Sequence, residues 1–165
     1  MTFIGIDPGK SGAMATITEE DDGSVSSTSA VLFSESAYRD VLDAVGENAF
    51  AVVENVHSMP KQGVSSSFAF GKNFGWIIGL LYARAIPTEL VNPQKWKRMF
   101  SCTSDKNTSI IVAERLFPRQ SLYATERCRK PHDGIAEALL MAEYGRRIHG
   151  RMSNGFSIPG ISIPY

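Results

Sequence analysis

Four acidic residues stand out because each ends or opens a predicted element of regular structure. Asp7 and Glu54 each end a short apolar run that is typical of a buried strand. Asp133 and Glu137 are four residues apart on a predicted helix, a spacing that places both side chains on one helix face. An acid at the carboxyl end of a strand in an open α/β sheet faces the crevice where ligands bind. The pattern therefore predicts that four carboxylates share one cleft.

Carboxylates gathered in one cleft would favour hard divalent cations, because these cations prefer oxygen ligands. Two such ions about 3.5–4 Å apart are the usual machinery of phosphodiester cleavage. A plainer interpretation stays open, since acids at strand ends often only cap turns and acids four apart on a helix are often solvated. The positions of Asp133 and Glu137 favour a metal site. Both acids lie at the start of the helix, where backbone N–H groups attract anions, and no lysine lies near them in the helix.

The chain of 165 residues is long enough for one domain with a sizeable core. Its composition, 43% hydrophobic and 21% charged, is ordinary for a globular protein. No apolar run approaches the length of a membrane span, and the first predicted strand begins too near Met1 to leave room for a targeting peptide. Cys102 and Cys128 form no pair motif, so we expect reduced cysteines, no zinc site and a cytoplasmic location in a bacterium or a phage-infected cell.

The net charge of zero hides a strong asymmetry along the chain. Residues 1–60 contain two basic residues and ten acids, whereas residues 61–165 contain fifteen basic residues and seven acids. A basic surface beside an acidic pocket suits a nuclease, because the surface grips phosphates while the pocket holds metal. A solvated charged face explains the same pattern equally well. The basic side chains that cluster around predicted loops are Lys95, Lys97, Arg98, Lys106, Arg127, Arg129 and Lys130.

Hydrophobic periodicity and turn residues predict five strands and five helices. The predicted strands cover residues 2–7, 13–18, 24–33, 50–54 and 87–91. The predicted helices run from Ser34 or Ser36 to about 46, over 65–85, over a short stretch from Pro93, over 106–117 and over 131–149. Three antiparallel strands followed by crossover connections predict an α/β fold with a mixed five-stranded sheet flanked by helices.

Two segments have a composition of their own. Residues 151–165 form a tail without charge after Arg151, either disordered or packed on a partner, so we expect the domain to span 1–150. Gly71, Gly75 and Gly79 lie along one face of a predicted helix. They favour the close approach of a strand or a second helix, with a weak helix as the alternative.

Taken in order, these motifs resemble the Holliday junction resolvases of the RuvC type, within the RNase H-like superfamily. The resemblance rests on IGIDPG at 4–9, SG at 11–12, VEN at 53–55, HD at 132–133 and AEAL at 136–139. The motifs WKR at 96–98, LFP at 116–118 and DG at 133–134 make the chloroplast resolvases of plants the closest likeness. The opening motif alone also begins sugar kinases and actin-like ATPases, but the ordered set is specific.

The resemblance implies a homodimer that binds four-way junction DNA and nicks two opposing strands symmetrically, leaving 5′-phosphate and 3′-hydroxyl ends. It implies two Mg²⁺ or Mn²⁺ ions per active site, held by Asp7, Glu54, Asp133 and Glu137, with no protein nucleophile and no nucleotide cofactor. Many bacterial members place the last two acids three apart, whereas here the spacing is four. His132 is a rival metal ligand, because some relatives place a histidine near this point. Contact with a phosphate, or support behind the metal ligands, is its alternative role.

In this family the loop after Glu54 is expected to face the junction centre, where His57 or Met59 would wedge between bases. An ordinary loop is the alternative. The N-terminus of the next helix would bind a phosphate, and its glycine-spaced face would form the dimer interface. The aromatic residues expected in the core or in an interface are Phe68, Phe70, Phe74, Trp76 and Trp96. The residues predicted to contact DNA are His57, Met59, Lys61, Ser66, Lys72, Lys95, Lys97, Arg98, Lys106, Arg127, Arg129 and Lys130.

Two other functions remain compatible with the sequence. Another nuclease of the same fold, acting on other branched DNA, on RNA–DNA hybrids or on RNA, would use the same acids. A catalytically silent junction-binding protein would use only the fold and the basic surface, but it would gain nothing from four acids facing phosphates. An actin-like ATPase is excluded, because that fold needs a duplicated domain and roughly twice this length.

Overall fold

The computed structural model describes residues 1–9, 11–55 and 63–150. Five strands and five helices follow each other in the predicted order, and most of their ends lie within two residues of the predicted ends. The strands are β1 (Thr2–Ile6), β2 (Ala13–Glu19), β3 (Val25–Leu32), β4 (Ala49–Glu54) and β5 (Thr88–Val91). The helices are α1 (Glu35–Ala44), α2 (Val64–Ala83), α3 (Pro93–Met99), α4 (Lys106–Leu116) and α5 (Asp133–His149).

The strands form one sheet in the order β3-β2-β1-β4-β5. Strands β1, β2 and β3 are antiparallel neighbours, while β4 is parallel to β1 and β5 is parallel to β4. The predicted mixed sheet of three antiparallel strands followed by parallel crossovers is therefore confirmed. Strand β1 lies at its centre, and its residues Phe3, Ile4 and Ile6 are fully buried, as expected for a strand covered on both faces.

The helices divide between the two faces of the sheet. On one face Ile4 and Ile6 of β1 share a core with Tyr38 of α1 and Ile77 of α2. On the other face Val52 of β4 belongs to a second core, which includes residues of α3, α4 and α5. This division follows from the period of two along each strand, which sends successive side chains to opposite faces.

Side-chain caps define the starts of three helices. Ser34 Oγ accepts a hydrogen bond from the N–H of Ala37 at the start of α1, so Ser34 rather than Ser36 is the cap. Asn92 caps α3, immediately before Pro93, and Asp105 caps α4. These caps satisfy backbone N–H groups that a helix start leaves without partners.

Helix α5 lies directly on the central strand. Its residues 134–145 are all buried. A methyl group at Gly5 would lie 2.0 Å from the carbonyl oxygen of Ala138 and 2.3 Å from the amide nitrogen of Ala142. Only glycine at this position of β1 allows so close an approach. Because a methyl group at Gly134 would instead meet Asp7, the helix runs antiparallel to β1 and its first turn lies at the end of that strand.

One face of α2 has no partner in the described part of the chain. A methyl group at Gly71, Gly75 or Gly79 would meet no atom within 4 Å. Among the described residues, no strand or second helix approaches these glycines, because this face points away from the sheet. The predicted close approach therefore stays a prediction. The large apolar side chains exposed along the same face are Val64, Phe68 and Tyr82, with exposed fractions of 88%, 77% and 87%.

The aromatic residues of α2 divide between the two sides of the helix. Phe74 and Trp76 pack against the core of their layer, as predicted. Phe68 does not lie in the core of this chain, because its position on the helix turns it outward. Trp96 of α3 is fully buried, as predicted.

Several sequence predictions concern segments beyond this description. His57, Met59, Lys61 and the tail at 151–165 lie outside the described residues. Within the described residues, no helix is long and apolar enough to span a membrane. Cys102 is half-buried and Cys128 is exposed, and both are free cysteines.

Candidate active site

Asp7 and Glu54 lie on neighbouring parallel strands at one edge of the sheet. Ile6 pairs with Val53 in the register of β1 and β4, so each acid follows this last pair at the carboxyl end of its strand. The N–H of Gly9 donates a hydrogen bond to Asp7 Oδ1 at 3.1 Å and holds the carboxylate in the turn after β1. The carboxyl ends of parallel strands are where open α/β sheets bind ligands.

The first turn of α5 closes over Asp7. A methyl group at Gly134 would lie 3.3 Å from Asp7 Oδ2 and 2.6 Å from the carbonyl oxygen of Ser11. Asp133 and Glu137 belong to this part of α5, so the structure brings all four predicted acids to the same edge of the sheet. Glycine at 134 makes the approach possible, because it leaves room for the Asp7 turn.

Asp7 and Glu54 have raised pKa values. Burial raises the pKa of Asp7, with Glu137 and Asp133 adding to the effect and the Gly9 N–H and Lys106 opposing it. Burial raises the pKa of Glu54 to about 7, to which the charges of Asp7 and Glu137 also contribute. Like charges that repel each other in a poorly solvated place favour the protonated form.

Two lysines partly compensate the negative charge. Lys97 Nζ of α3 lies 2.8 Å from Glu137 Oε1, and Lys106 Nζ of α4 forms a salt bridge with Asp133 Oδ2. Although burial would raise the pKa of Asp133, the hydrogen bond from Lys106 and its charge bring that pKa below its usual value. Neither lysine belongs to α5, since Lys97 lies on α3 and Lys106 on α4. The sequence of α5 alone therefore did not indicate these pairs.

Carboxylate oxygens are suitable ligands for a hard divalent cation, but the four acids are not grouped closely enough to hold one ion. Within the described residues, no three His, Cys, Asp or Glu side chains are grouped so that they could hold one ion. The salt bridges give a physical reason, since the ammonium groups of Lys97 and Lys106 occupy the carboxylates of Glu137 and Asp133. Within the described ranges, the four acids face two ammonium groups, which leaves an excess of negative charge among these side chains that an oxygen-bound cation would neutralise.

Two buried polar atoms near these acids have no hydrogen-bond partner among the described residues. They are the hydroxyl of Tyr38 and the Nδ1 of His132. Burial and the nearby charge of Asp7 raise the pKa of Tyr38. His132 immediately precedes α5, so its ring lies beside Gly134 of the first turn. The free Nδ1 keeps His132 available as a ligand, and its assignment to the metal stays a prediction.

Two residues that contact the acids were not predicted from the sequence. Trp96 Nε1 donates a hydrogen bond to Glu54 Oε1 at 3.0 Å, and Ser109 Oγ donates to Glu137 Oε1 at 3.4 Å. Both side chains are fully buried. The need of a buried indole N–H for an acceptor was a usable signal for Trp96. The sequence contained no such signal for Ser109, because a serine inside a helix is common.

The basic residues predicted to bind DNA occupy three different places. Lys97 and Lys106 lie among the acids. Lys95 instead bonds to Glu89 Oε1 and lies over the ring of Tyr144, two turns along α5 from Glu137. The remaining candidates in the described chain, all on exposed positions, are Ser66 and Lys72 on α2, Arg98 on α3, and Arg127, Arg129 and Lys130 between α4 and α5.

Comparison with known proteins shows a shared fold without a sequence match. No family model and no curated protein matches the chain. RuvC of Thermus thermophilus in complex with a Holliday junction substrate has a similar structure, with a TM-score of 0.61, 15% identity, and coverage of 90% of this chain and 97% of that one. Another structure of Thermus thermophilus RuvC gives a TM-score of 0.59 at 17% identity, covering 93% of this chain and 97% of that one.

The chain therefore has the RNase H-like fold of RuvC over nearly its whole length. This confirms the fold that the sequence motifs implied. At such low identity the likeness concerns the fold, and the closer likeness to the chloroplast resolvases of plants stays a prediction.

Proposed function

We propose that this protein is a metal-dependent endonuclease that resolves four-way DNA junctions. The observation that carries the proposal is the meeting of four carboxylates, Asp7, Glu54, Asp133 and Glu137, at the carboxyl edge of a RuvC-like sheet. The RuvC structure of similar fold is a complex with a Holliday junction. Burial and nearby acids raise the pKa values of Asp7 and Glu54, and perturbed acids of this kind are candidates for a functional site.

The four acids would hold Mg²⁺ or Mn²⁺, and two such ions would activate the attacking water and stabilise the leaving 3′-oxygen. Cleavage of this kind leaves the 5′-phosphate and 3′-hydroxyl ends that a ligase can join. The residues around the acids have supporting roles. Ser109 holds one oxygen of Glu137, while Lys97 and Lys106 neutralise Glu137 and Asp133 until the acids bind metal.

The segment before α5 offers a surface for the DNA backbone. Arg127, Arg129 and Lys130 are exposed, and they precede Asp133 by only a few residues. Lys106, whose side chain is 68% exposed, pairs with Asp133 among the acids. Exposed cations beside the site would bind phosphates and keep the scissile strand near the carboxylates.

Symmetric nicking needs two active sites, so we propose that the protein acts as a homodimer. The unpartnered face of α2 supports this arrangement, because it exposes Val64, Phe68 and Tyr82 around a row of glycines. Small residues in the middle of an apolar face allow two helices to approach closely.

The dimer is tested with Gly75→Leu. A Cβ at Gly75 would meet no atom of the described residues within 4 Å, so the monomer should become slightly more stable, by roughly 0.5–1 kcal/mol. Dimerisation, measured by sedimentation equilibrium, should weaken at least about tenfold, since 1.4 kcal/mol of steric cost suffices for that change. A dimer as tight as that of the unaltered protein would place the interface elsewhere.

The activity is tested on a synthetic four-way junction, labelled on each strand in turn and incubated with and without Mg²⁺ or Mn²⁺. We expect paired nicks on opposing strands that ligase can seal. Asp7→Asn should greatly reduce the nicking, whereas the control Asp43→Asn should not, because Asp43 pairs with Arg84 on the outside of α1. Cleavage of flapped DNA or RNA–DNA hybrids but not of junctions would contradict the substrate. Tight junction binding without cleavage in either metal would leave only a junction-binding protein.

A further inference from the structure

Trp96 connects two of the four acids through different parts of one side chain. Its indole N–H donates a hydrogen bond to Glu54 Oε1 at 3.0 Å. Its ring face carries the ammonium of Lys97, whose Nζ lies 5.1 Å from the ring centroid. The same ammonium lies 2.8 Å from Glu137 Oε1. The indole therefore contacts Glu54 directly and reaches Glu137 through Lys97.

The position of Trp96 is determined by rigid structure on several sides. Val91, the last residue of β5, pairs with Glu54 in the sheet, and its carbonyl accepts the N–H of Asn55 at 2.8 Å. Asn92 follows at once and caps α3. The indole is fully buried in the core that includes residues of α3, α4 and α5. It therefore has little freedom to move away from Glu54.

We propose that Trp96 is a positioning residue, which orients the Glu54 carboxylate for metal binding and supports Lys97 against Glu137. The inference rests on the proposed function, because it assumes that these acids hold metal. An indole N–H only donates hydrogen bonds, so it orients the carboxylate without competing with it for a cation. Since both oxygens belong to one planar group, holding Oε1 also restricts Oε2.

The test compares Trp96→Phe with Trp76→Phe in the full chain. Both variants lose an indole and keep an aromatic ring, but Trp76 packs beside Phe33 on the other face of the sheet. Mn²⁺ binding without DNA is measured by titration calorimetry. We expect Trp96→Phe to bind Mn²⁺ about 10–100-fold more weakly, the usual effect of removing a partner behind a metal ligand. Trp76→Phe should stay within about twofold of the unaltered protein.

Cleavage provides a second comparison. Trp96→Phe should lower the single-turnover rate while leaving junction affinity in Ca²⁺ unchanged, and more Mn²⁺ should recover part of the rate. An unchanged Mn²⁺ affinity and an unchanged rate in a folded Trp96→Phe would overturn the positioning role and leave the proposed function intact. If the unaltered protein binds Mn²⁺ but cleaves no junction, the proposed function fails. The positioning role of Trp96 is then tested by the Mn²⁺ affinity of Trp96→Phe alone. If the unaltered protein binds no Mn²⁺, both proposals fail.

A measurement on Trp76→Phe keeps the inference testable if Trp96→Phe does not fold. The chain has two tryptophans, so this variant contains a single indole N–H, that of Trp96. Its signal in a ¹H–¹⁵N spectrum should shift when Mg²⁺ is added at the concentration that supports cleavage, because the partner carboxylate then binds the ion. An indole signal that does not respond to Mg²⁺ would overturn the proposal.

Discussion

The two ends of α5 hold charged side chains in opposite situations. Near the C-terminal end, the buried Glu143 accepts hydrogen bonds from Arg146 and Arg147, both at 2.7 Å, and Arg146 also bonds to Glu19. Although burial would raise the pKa of Glu143, these two arginines lower it. Every acid of this group has a cation, so the charges hold the end of the helix in place.

Glu89 belongs to the same well-compensated end. His149 Nε2 and Lys95 Nζ each lie 2.8 Å from one of its oxygens, and the hydroxyl of Tyr144 donates to it at 3.2 Å. The hydrogen bond with His149 is the main reason why the pKa of Glu89 falls to about 2, with Lys95 adding to it and burial opposing it. This network ties β5 to the end of α5.

At the N-terminal end the balance is reversed. Burial and mutual repulsion raise the pKa values of Asp7 and Glu54, and in the described part of the chain four acids share two lysines. Such an arrangement costs folding free energy that neutral residues would not cost. The contrast teaches that buried charge alone does not mark a site. The informative feature is an excess of acids over cations at one end of a helix whose other end is fully paired.

The largest expected effect comes from Asp7→Asn. Junction cleavage should fall roughly 10³-fold, because the variant loses a carboxylate in the middle of the proposed metal site. The free energy of unfolding should stay the same or rise, since a buried and repelled charge is removed. Single-turnover cleavage and urea unfolding measure the two effects. A rate within tenfold of the unaltered protein would remove Asp7 from the site.

Glu143→Gln should behave in the opposite way. It leaves two arginines without the carboxylate that they share, so the free energy of unfolding should drop by about 2–3 kcal/mol. Cleavage at a temperature where the variant is folded should change less than about twofold. Urea unfolding measures the stability of the variant, and the junction assay measures its cleavage. A strong loss of cleavage without a loss of stability would contradict the proposed difference between the two ends of α5.

Glu54 should make the metal-free protein less stable as the pH rises. Its folded pKa of about 7 lies above the ordinary 4.5, so its stabilising contribution is complete below pH 4.5 and is lost as the pH rises through 7. The loss should be on the order of 2 kcal/mol. Urea unfolding with a chelator at pH 5 and pH 8 should show this slope, and Glu54→Gln should reduce it. An equal slope in the variant would contradict the assignment.

Glu89→Gln should show the smallest effect and the opposite sign. Its folded pKa of about 2 lies below the ordinary 4.5, so its contribution is present above pH 4.5 and is lost as the pH falls through 2. At pH 7 the variant should be about 1 kcal/mol less stable, a modest value because the group is partly exposed and screened. Near pH 2 it should match the unaltered protein, and its cleavage activity should be normal. Unfolding curves at both pH values check this.

Much of the fold could be predicted because its signals are local. The order of the strands and helices follows from periodicity, and Ser34 and Pro93 marked the starts of two helices correctly. The four acids could be singled out because each lies at the end of a strand or the start of a helix. The exposed face of α2 could not be assigned in the same way. A row of glycines shows that something can approach, but not whether it belongs to the same chain.

The sequence by itself determined the types of the site residues and the elements that carry them, because strand ends and helix faces are set by residues close together in the chain. Only the tertiary structure decided which cations and donors meet these acids. Lys97 lies 40 residues from Glu137, and Trp96 lies 42 residues from Glu54. Such contacts arise where α3 and α4 pack on the sheet and on α5, and no local pattern specifies them. The same packing decided that, among the residues that the structure describes, one end of α5 is neutralised while the other keeps an excess of negative charge.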